Sequence, residues 1–472
     1  MTSGGWTRRD LLAALGATAA GSVATLACGQ RHEARPALHP EPHYEAGKPI
    51  PWRNWSGAQA CRPNARLAPA SEAELIDGIA RTRGPLRPAG AGHSFSPLVP
   101  TDGTVVSLDL LSGVVDTDDT LLEAEVYGGT RLFELGPALW KHGQAMPNLP
   151  DIDQQALAGA VATSTHGTGI RLGSVSASVV ALSLVGGDGR HHRCSREENP
   201  ELFHAARTSL GALGVVSRLR LKNHAAYHLH LREDLRETEA TLEDAERLNR
   251  HRHFELFAIP HSRVSRVVTA DETDETQPIV TPSDPGEIED LEALHAAIGW
   301  IPGLGRPLYD AIIRGLSNPV ERRGPAHSVL ANTRVVRFNE MEYTVPAEAG
   351  PSCLREVLAA IAELPSSPSW PLELRYVQAD DIWLSPFYER DGCTISLHQP
   401  ITEDYGPFFD AIEPIFWKYE GRPHWGKLHS LDARRLAPLY PRWSDFLAVR
   451  RELDPEDRFL NPHLRRVFGL TA

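Results

Sequence analysis

The chain has 472 residues, 41% hydrophobic and 23% charged; the balance excludes a disordered chain, and the length calls for two packed domains. Forty-eight basic against sixty-one acidic residues leave a formal charge of −13. A polyanionic partner such as nucleic acid needs a positive field, so the charge argues against it and for a neutral small molecule.

Residues 1–28 read as an export signal, because Thr7-Arg8-Arg9-Asp10-Leu11-Leu12 opens an apolar, alanine-rich run that ends at Leu26-Ala27-Cys28. The paired arginines resemble a twin-arginine signal. About 20 apolar residues cross a hydrocarbon core, and this shorter, small-residue run is better suited to cleavage and export than to spanning. Cys28 is also a candidate lipid-attachment site, with the polar, proline-rich residues 29–50 as a tether. Thr25 stands where a branched aliphatic residue is usual, so lipid anchoring and simple cleavage both stay open.

From Pro51 to about Leu221 short strands alternate with helices. The first feature is Arg87-Pro88-Ala89-Gly90-Ala91-Gly92-His93-Ser94, a tight glycine turn ending in an imidazole. Glycines allow positive φ and close backbone approach, and the N–H groups of such turns form anion-binding nests. Leu121 to Val126 then reads as a strand; Gly128-Gly129 turns it, Thr130 can cap a helix, and Leu132, Leu135 and Leu139 recur at helical spacing as far as Gly143. A second glycine turn follows at Ser164-Thr-His166-Gly167-Thr-Gly169. Val179 to Val185 is a further strand, closed by Gly186-Gly-Asp-Gly189. Val215, Ser217, Leu219 and Leu221 alternate with Val216, Arg218 and Arg220, as a strand with one wetter face does.

Residues 222–420 form the second domain, built on an antiparallel sheet with flanking helices, and residues 421–472 return to the first. Asp271 to Pro285 reads as an exposed loop, rich in Asp, Glu, Thr and Pro. Cys353 to Leu364 puts Leu354, Val357, Leu358 and Ile361 on one helical face, and the strands Leu372 to Val377 and Thr394 to Leu397 follow. Alternation places Glu373 and Arg375 on one face, with Leu372, Leu374 and Tyr376 on the other; it also pairs Ser396 with His398 opposite Ile395 and Leu397. If the two strands are neighbours, a carboxylate, a guanidinium and an imidazole share one surface. The alternative is an ion pair on an ordinary amphipathic sheet.

Cys61, Cys194, Cys353 and Cys393 allow either disulfides or buried thiols. His191-His192, His228-x-His230 and His251-x-His253 lack the spacing of a structural metal site and are assigned to solvated surface. No metal is expected. His166 is assigned to positioning its own loop, and Trp55 and Trp425 to packing, with Trp425 a candidate pocket wall.

The stretches Asn54-Trp-Ser-Gly57, Gly90-Ala-Gly-His-Ser94, Pro147-Asn-Leu-Pro-Asp-Ile-Asp153, Ala158 to Gly169, Ser209 to Val215, Glu373-Leu-Arg375, Arg422-Pro-His-Trp-Gly-Lys427 and Phe459-Leu-Asn-Pro462 resemble the vanillyl-alcohol oxidase superfamily of flavoproteins. Within it the likeness is to the aldonolactone oxidase and alditol oxidase group, and it is weak in the middle of the chain. The resemblance implies an α+β, two-domain flavoprotein that holds FAD and oxidises a CH–OH group of a polyol, sugar or sugar 1,4-lactone. It implies cofactor contacts at Arg87, Pro88, Ala89, Gly90, Ala91, Gly92, His93 and Ser94, at Asp151, Gly159, Thr163, Ser164, His166, Gly167 and Gly169, and at Gly214, Val215 and Asn461. His93 occupies the position that carries a covalent flavin link in many members. Glu373, Arg375 and Lys427 are implied pocket residues, with His398 matching a pocket histidine. A cation suits the charge that builds on a flavin receiving hydride, and a histidine suits removal of the hydroxyl proton. A twin-arginine route, which carries folded proteins, would suit a chain that acquires its flavin before export. Oxygen is the implied acceptor, with another electron carrier as the alternative, and a surface lipoprotein with an inactive flavin fold is the contrasting class.

Overall fold

The computed structural model describes residues 47–281, 305–331, 336–364 and 370–470. The export signal, Cys28 and nearly all of the tether lie outside the described residues, as does the end of the 271–285 segment.

The first domain contains a small parallel sheet of β1 (Ala65–Leu67), β2 (Leu86–Ala89) and β3 (Thr104–Ser107) in the order β1-β3-β2. Helix α1 (Glu72–Arg81) starts at Ser71, whose Oγ accepts from the Glu74 N–H at 3.2 Å, and buries Leu75 and Ile79 one turn apart. Next to it stands a five-stranded sheet of β4 (Val114–Asp118), β5 (Glu123–Tyr127), β6 (Val179–Val185), β7 (His191–Ser195) and β8 (Val215–Lys222), in the order β7-β6-β8-β5-β4. Helix α2 (Leu132–Trp140) buries Leu132, Leu135 and Leu139 at the expected spacing. Its cap position is Arg131, not Thr130; the Thr130 hydroxyl donates instead to the Tyr127 carbonyl at 2.7 Å and holds the preceding turn. Helix α3 (Leu157–Ala162) carries the second glycine segment into the interior.

The second domain is a nine-stranded antiparallel sheet. Its strands are β9 (His228–Glu237), β10 (His253–Ala258), β11 (Val264–Thr273), β12 (Ile279–Val280), β13 (Val320–Pro325), β14 (Phe338–Pro346), β15 (Leu372–Val377), β16 (Gly392–Pro400) and β17 (Arg422–Pro423). They lie in the order β12-β13-β9-β11-β10-β15-β16-β14-β17. The 271–285 segment is thus not one loop: Asp271 to Thr273 end β11 and Ile279–Val280 pairs with β13, because the polar side chains point outward while the backbone stays in the ladder. Helix α4 (Gly350–Glu363) packs Leu354, Val357 and Ile361 on the sheet, with Leu358 half-buried at the margin. Gly350 permits this approach, since a Cβ there would lie 2.2 Å from Cys393 Sγ.

Residues 421–470 add β17 to the sheet before returning to the first domain, where Leu86 N–H donates to the Arg458 carbonyl at 2.7 Å. Cys61, Cys194, Cys353 and Cys393 are free thiols, the last three buried. Among the described residues no helix is long and apolar enough to cross a membrane.

Candidate active site

Between the two domains lies a cavity of about 1530 Å³, counting its solvent-open part. One wall is the loop after β2, from Arg87 to Ser94; another runs from Pro150 through α3 to His166; Ser209 to Gly211 and Gly214 to Val216 close it behind. The far end is Glu340, Glu342, Glu373, Arg375, His398, His424 and Lys427, all from the nine-stranded sheet and the segment after β17.

Geometry explains why these glycines stand where they do. A Cβ on Gly90 would lie 3.1 Å from Ala156 Cβ and 4.0 Å from Gly159 Cα, so the two glycine segments meet there. A Cβ on Gly159 would meet nothing within 4 Å and would project into the cavity. Gly214 has φ +146°, and a Cβ there would lie 2.4 Å from the Val185 carbonyl. Backbone thus forms much of this wall, the kind of surface that a long phosphate-bearing ligand can approach closely. Pro88, Ala89, Gly90, Ala91, Gly92, His93, Ser94, Asp151, Gly159, Thr163, His166, Gly214 and Val215 all line the cavity.

Five residues that the resemblance implies as cofactor contacts also make structural contacts within the chain. Arg87 borders the cavity, but its guanidinium is buried and donates to the carbonyls of Leu98 at 2.7 Å, Gly211 at 3.0 Å, Leu210 at 2.8 Å and Phe459. Burial lowers its pKa to about 9, and its donors are already engaged with the chain. Ser164 is fully buried with its Oγ 3.3 Å from Ser385 Oγ. Gly167 packs under Leu149, whose carbonyl would lie 2.1 Å from an added Cβ. Gly169 donates its N–H to the Tyr376 carbonyl at 2.7 Å, docking the second glycine turn on β15. Asn461 caps the last helix and donates to the carbonyls of Pro97 at 2.9 Å, Leu98 at 3.2 Å and Pro100 at 3.0 Å, bracing the His93 loop from behind.

His93 sits on the cavity wall with its ring stacked on Trp55, centroids 5.6 Å apart. Burial first, then Lys427 and Arg131, lower its pKa to about 4, so the imidazole is neutral at physiological pH. The loop is tied to the opposite end of the site: Phe95 N–H donates to the Gly426 carbonyl at 2.7 Å and Ser96 Oγ to the Trp425 carbonyl at 2.6 Å. Trp425 is fully buried behind that wall, its Nε1 donating to Leu384 at 2.6 Å, and does not line the cavity.

Strands β15 and β16 are neighbours, with Glu373 opposite Ser396, and β14 lies on the other side of β16 with Glu340 opposite His398 and Glu342 opposite Ser396. Arg375 Nη2 donates to Glu373 at 3.0 Å and to Glu342 at 3.3 Å. Burial works against this guanidinium, but Glu373, Glu342, Glu255 and Glu340 outweigh it and hold it cationic. Glu342 also accepts from Ser396 at 3.0 Å and faces His166 Nε2 at 2.6 Å. His166 Nδ1 donates to the Gly167 carbonyl at 2.8 Å, so both ring nitrogens face oxygen acceptors. Burial alone would raise Glu342, yet His166 and Arg375 hold it well below the usual carboxylate range. Lys427 pairs with Glu340. His398 Nδ1 lies 3.1 Å from the Pro371 carbonyl, which can only accept, so Nε2 is the nitrogen turned toward the site, 3.7 Å from Glu340. Glu340, Glu373 and His398 bring one ligand-type atom each within 4.8 Å of one another, but Lys427 and Arg375 already neutralise both carboxylates.

Sequence reasoning missed Glu255, Glu340, Glu342 and His424. Glu340 and Glu342 alternate with Met341, Tyr343 and Val345 in the pattern used for β15, and that signal could have found them. His424 lies inside the quoted Arg422 to Lys427 stretch; burial lowers its pKa to about 3, so it is a neutral cavity wall. The histidine pairs need one correction: His191, His230 and His251 make half-exposed contacts with Glu72, Glu321 and Asp271, whereas His253 is buried, its Nδ1 donating to the Thr168 carbonyl at 2.8 Å to dock the glycine turn.

The sequence model of a family described as D-arabinono-1,4-lactone oxidase matches residues 219–467, and one described as FAD binding domain matches residues 63–195. L-gulono-1,4-lactone dehydrogenase of Mycobacterium tuberculosis is 37% identical over 429 residues, 89% of this chain and 99% of the relative.

The chain belongs to the D-arabinono-1,4-lactone oxidase family.

L-gulonolactone oxidase of Bos taurus is 30% identical over 452 residues, with 89% and 99% covered, and alditol oxidase of a Streptomyces species is 32% identical over 421 residues, with 87% and 97% covered. A solved cholesterol oxidase from Brevibacterium sterolicum superposes with a TM-score of 0.73 over 89% of this chain and 96% of its own, at 14% identity, which shows the fold alone. The aldonolactone oxidase family member described here is therefore an FAD-dependent oxidoreductase acting on CH–OH groups. Its family match spans the middle of the chain, where the likeness read from short motifs was weak.

Proposed function

We propose that the protein oxidises a ring or chain CH–OH of a neutral sugar 1,4-lactone or polyol. The observation that carries this reading is the convergence of Glu373, Arg375, His398 and Lys427 at one end of the glycine-walled cleft. FAD held along that wall supplies the hydride acceptor. His398 Nε2 takes the hydroxyl proton, since Nδ1 is engaged with the Pro371 carbonyl. Arg375 and Lys427 hold positive charge where negative charge accumulates during transfer, and Glu373 fixes Arg375. His93, kept neutral by burial, has the lone pair needed for a covalent link to the cofactor. Oxygen is the proposed acceptor; the 37% identical relative carries the name dehydrogenase, which favours an electron carrier as the second reading. Oxygen-electrode turnover with and without an artificial acceptor separates the two.

The lactone and polyol names of the relatives support the substrate class, and so does the charge balance, because each cation at this end is already paired with a carboxylate. Anaerobic addition of aldono-1,4-lactones and polyols should bleach the flavin, while their open-chain carboxylates should not. Bleaching by none of the neutral compounds would overturn the reading. We also infer export, from Arg8-Arg9 and the apolar run before Cys28, with Cys28 as a candidate lipid anchor. Secretion of the chain with Arg8 and Arg9 both replaced by Lys tests the first, and mass spectrometry of the mature N-terminus tests the second.

A further inference from the structure

On the far side of Arg375 lies a second, smaller cavity, whose wall includes Asp151, Glu233, His253, Glu255 and Arg322. Arg375 and Asp151 border both cavities. Glu255, on β10, is the register partner of Arg375 on β15, with Oε1 4.0 Å from Arg375 Nε, and its side chain is only 15% exposed. Glu255, Glu342 and Glu373 thus crowd one guanidinium, and Glu373 is the acidic group that acts most strongly on Glu255. Two carboxylates can share a hydrogen bond only if one proton lies between them.

The surroundings say where that proton belongs. Glu373 takes the Arg375 Nη2–H at 3.0 Å, and Glu342 takes a second contact from the same nitrogen at 3.3 Å. One guanidinium therefore already faces two carboxylates, one of which also faces His166. An ionised Glu255 would be a third. The charged groups around it from the other elements are Glu373 and Arg375 from β15, Glu233 from β9, Arg322 from β13 and Asp151 from the loop before α3. Glu233 is itself paired with Arg266 at 2.8 Å. Burial, then Glu373, push the Glu255 carboxyl well above its ordinary range against the pull of Arg375.

We propose that Glu255 is a positioning residue: its protonated carboxyl donates to Glu373, aims that carboxylate at Arg375, and keeps the Arg375 cluster from acquiring a surplus negative charge. The inference rests on the cleft being the oxidation site described above. Loss of the shared proton at alkaline pH would place one more negative charge beside Arg375, where the reaction itself builds negative charge, and so would slow flavin reduction.

Two measurements test this. The infrared difference spectrum between wild type and Glu255→Gln at neutral pH should contain the carbonyl stretch of one protonated buried carboxyl, whether or not any substrate reduces the flavin. Absence of that band overturns the proposal and leaves the functional reading untouched. In anaerobic stopped-flow, Glu255→Leu should reduce the flavin on the order of tenfold more slowly, and Glu255→Gln, which keeps a neutral donor to Glu373, should recover most of that loss while flattening the alkaline decline expected of wild type. An alkaline decline equal in wild type and Glu255→Gln, or a Gln variant as slow as Leu, overturns it. Failure of every lactone and polyol to reduce wild type would count against the functional reading alone, with the infrared band still deciding the proton.

Discussion

Replacing Arg375 by Ala removes the cation that Glu373 holds at 3.0 Å and Glu342 at 3.3 Å. The end of the cleft then carries one more net negative charge. At a separation of roughly 5 Å and an effective dielectric of about 20, that charge opposes a developing negative charge by ~3 kcal/mol. Uptake of a proton by Glu373 offsets part of this, leaving about 2–3 kcal/mol, or roughly 30- to 150-fold in the rate of flavin reduction. Arg375→Lys keeps the charge but cannot serve two carboxylates with one planar fork, and should lose about tenfold. Flavin content should hold in both variants, because the glycine-lined wall comes from other segments of the chain. The assay is anaerobic stopped-flow reduction, with flavin absorbance and thermal unfolding as controls on the fold. A reduction rate within threefold of wild type in a folded, yellow Arg375→Ala protein would refute the role given to this guanidinium.

Acid-precipitated wild type should stay yellow and His93→Ala should not; a yellow His93→Ala precipitate would place the link elsewhere. Arg87→Met should lower unfolding free energy in urea by about 3–5 kcal/mol, since four buried carbonyls lose their donor together, and a loss under about 1 kcal/mol would contradict the carbonyl cage. Burial lowers the pKa of His253 to about 4, against 6.5 for an ordinary histidine, so its native form binds a proton more weakly than the unfolded chain does. That contribution to stability is complete above pH 6.5 and fades as pH falls toward 4; between pH 6.5 and 5 it amounts to about 2 kcal/mol. His253→Gln should flatten urea stability against pH by that amount over this interval, and an unchanged slope would refute it.

Much of this architecture was legible in the chain. Val179–Val185 and Leu372–Val377 are strands with the bounds read from the sequence, because each has a buried apolar face and turn residues nearby. The glycine segments were legible as turns, but not in their division of labour. Gly90 and Gly159 face the cavity while Gly167 and Gly169 bury against Leu149 and β15, a difference set by packing from residues remote in sequence. The role of the Arg87 side chain was not legible either, because the carbonyls of Gly211 and Phe459 that it serves arrive from distant segments. Glu255 alternates with Phe254 and Leu256, which places it on a strand face without saying what it meets there. Only the pairing of β10 with β15 sets it against Arg375.

The charge arrangement bears on selectivity more than any single contact does. Around the closed end stand four carboxylates, Glu255, Glu340, Glu342 and Glu373, against the fixed cations Arg375 and Lys427. The proton proposed on Glu255 and the contact of His166 with Glu342 reduce the excess of negative charge. A substrate carboxylate entering here would have to displace Glu373 or Glu340 from its own cation, leaving a buried acid uncompensated, which costs several kcal/mol. A lactone carbonyl or a hydroxyl only has to share the hydrogen bonds. The same arrangement lets negative charge that appears during oxidation find two cations already in place, so the features that repel an anionic ground state are those that favour the transition state.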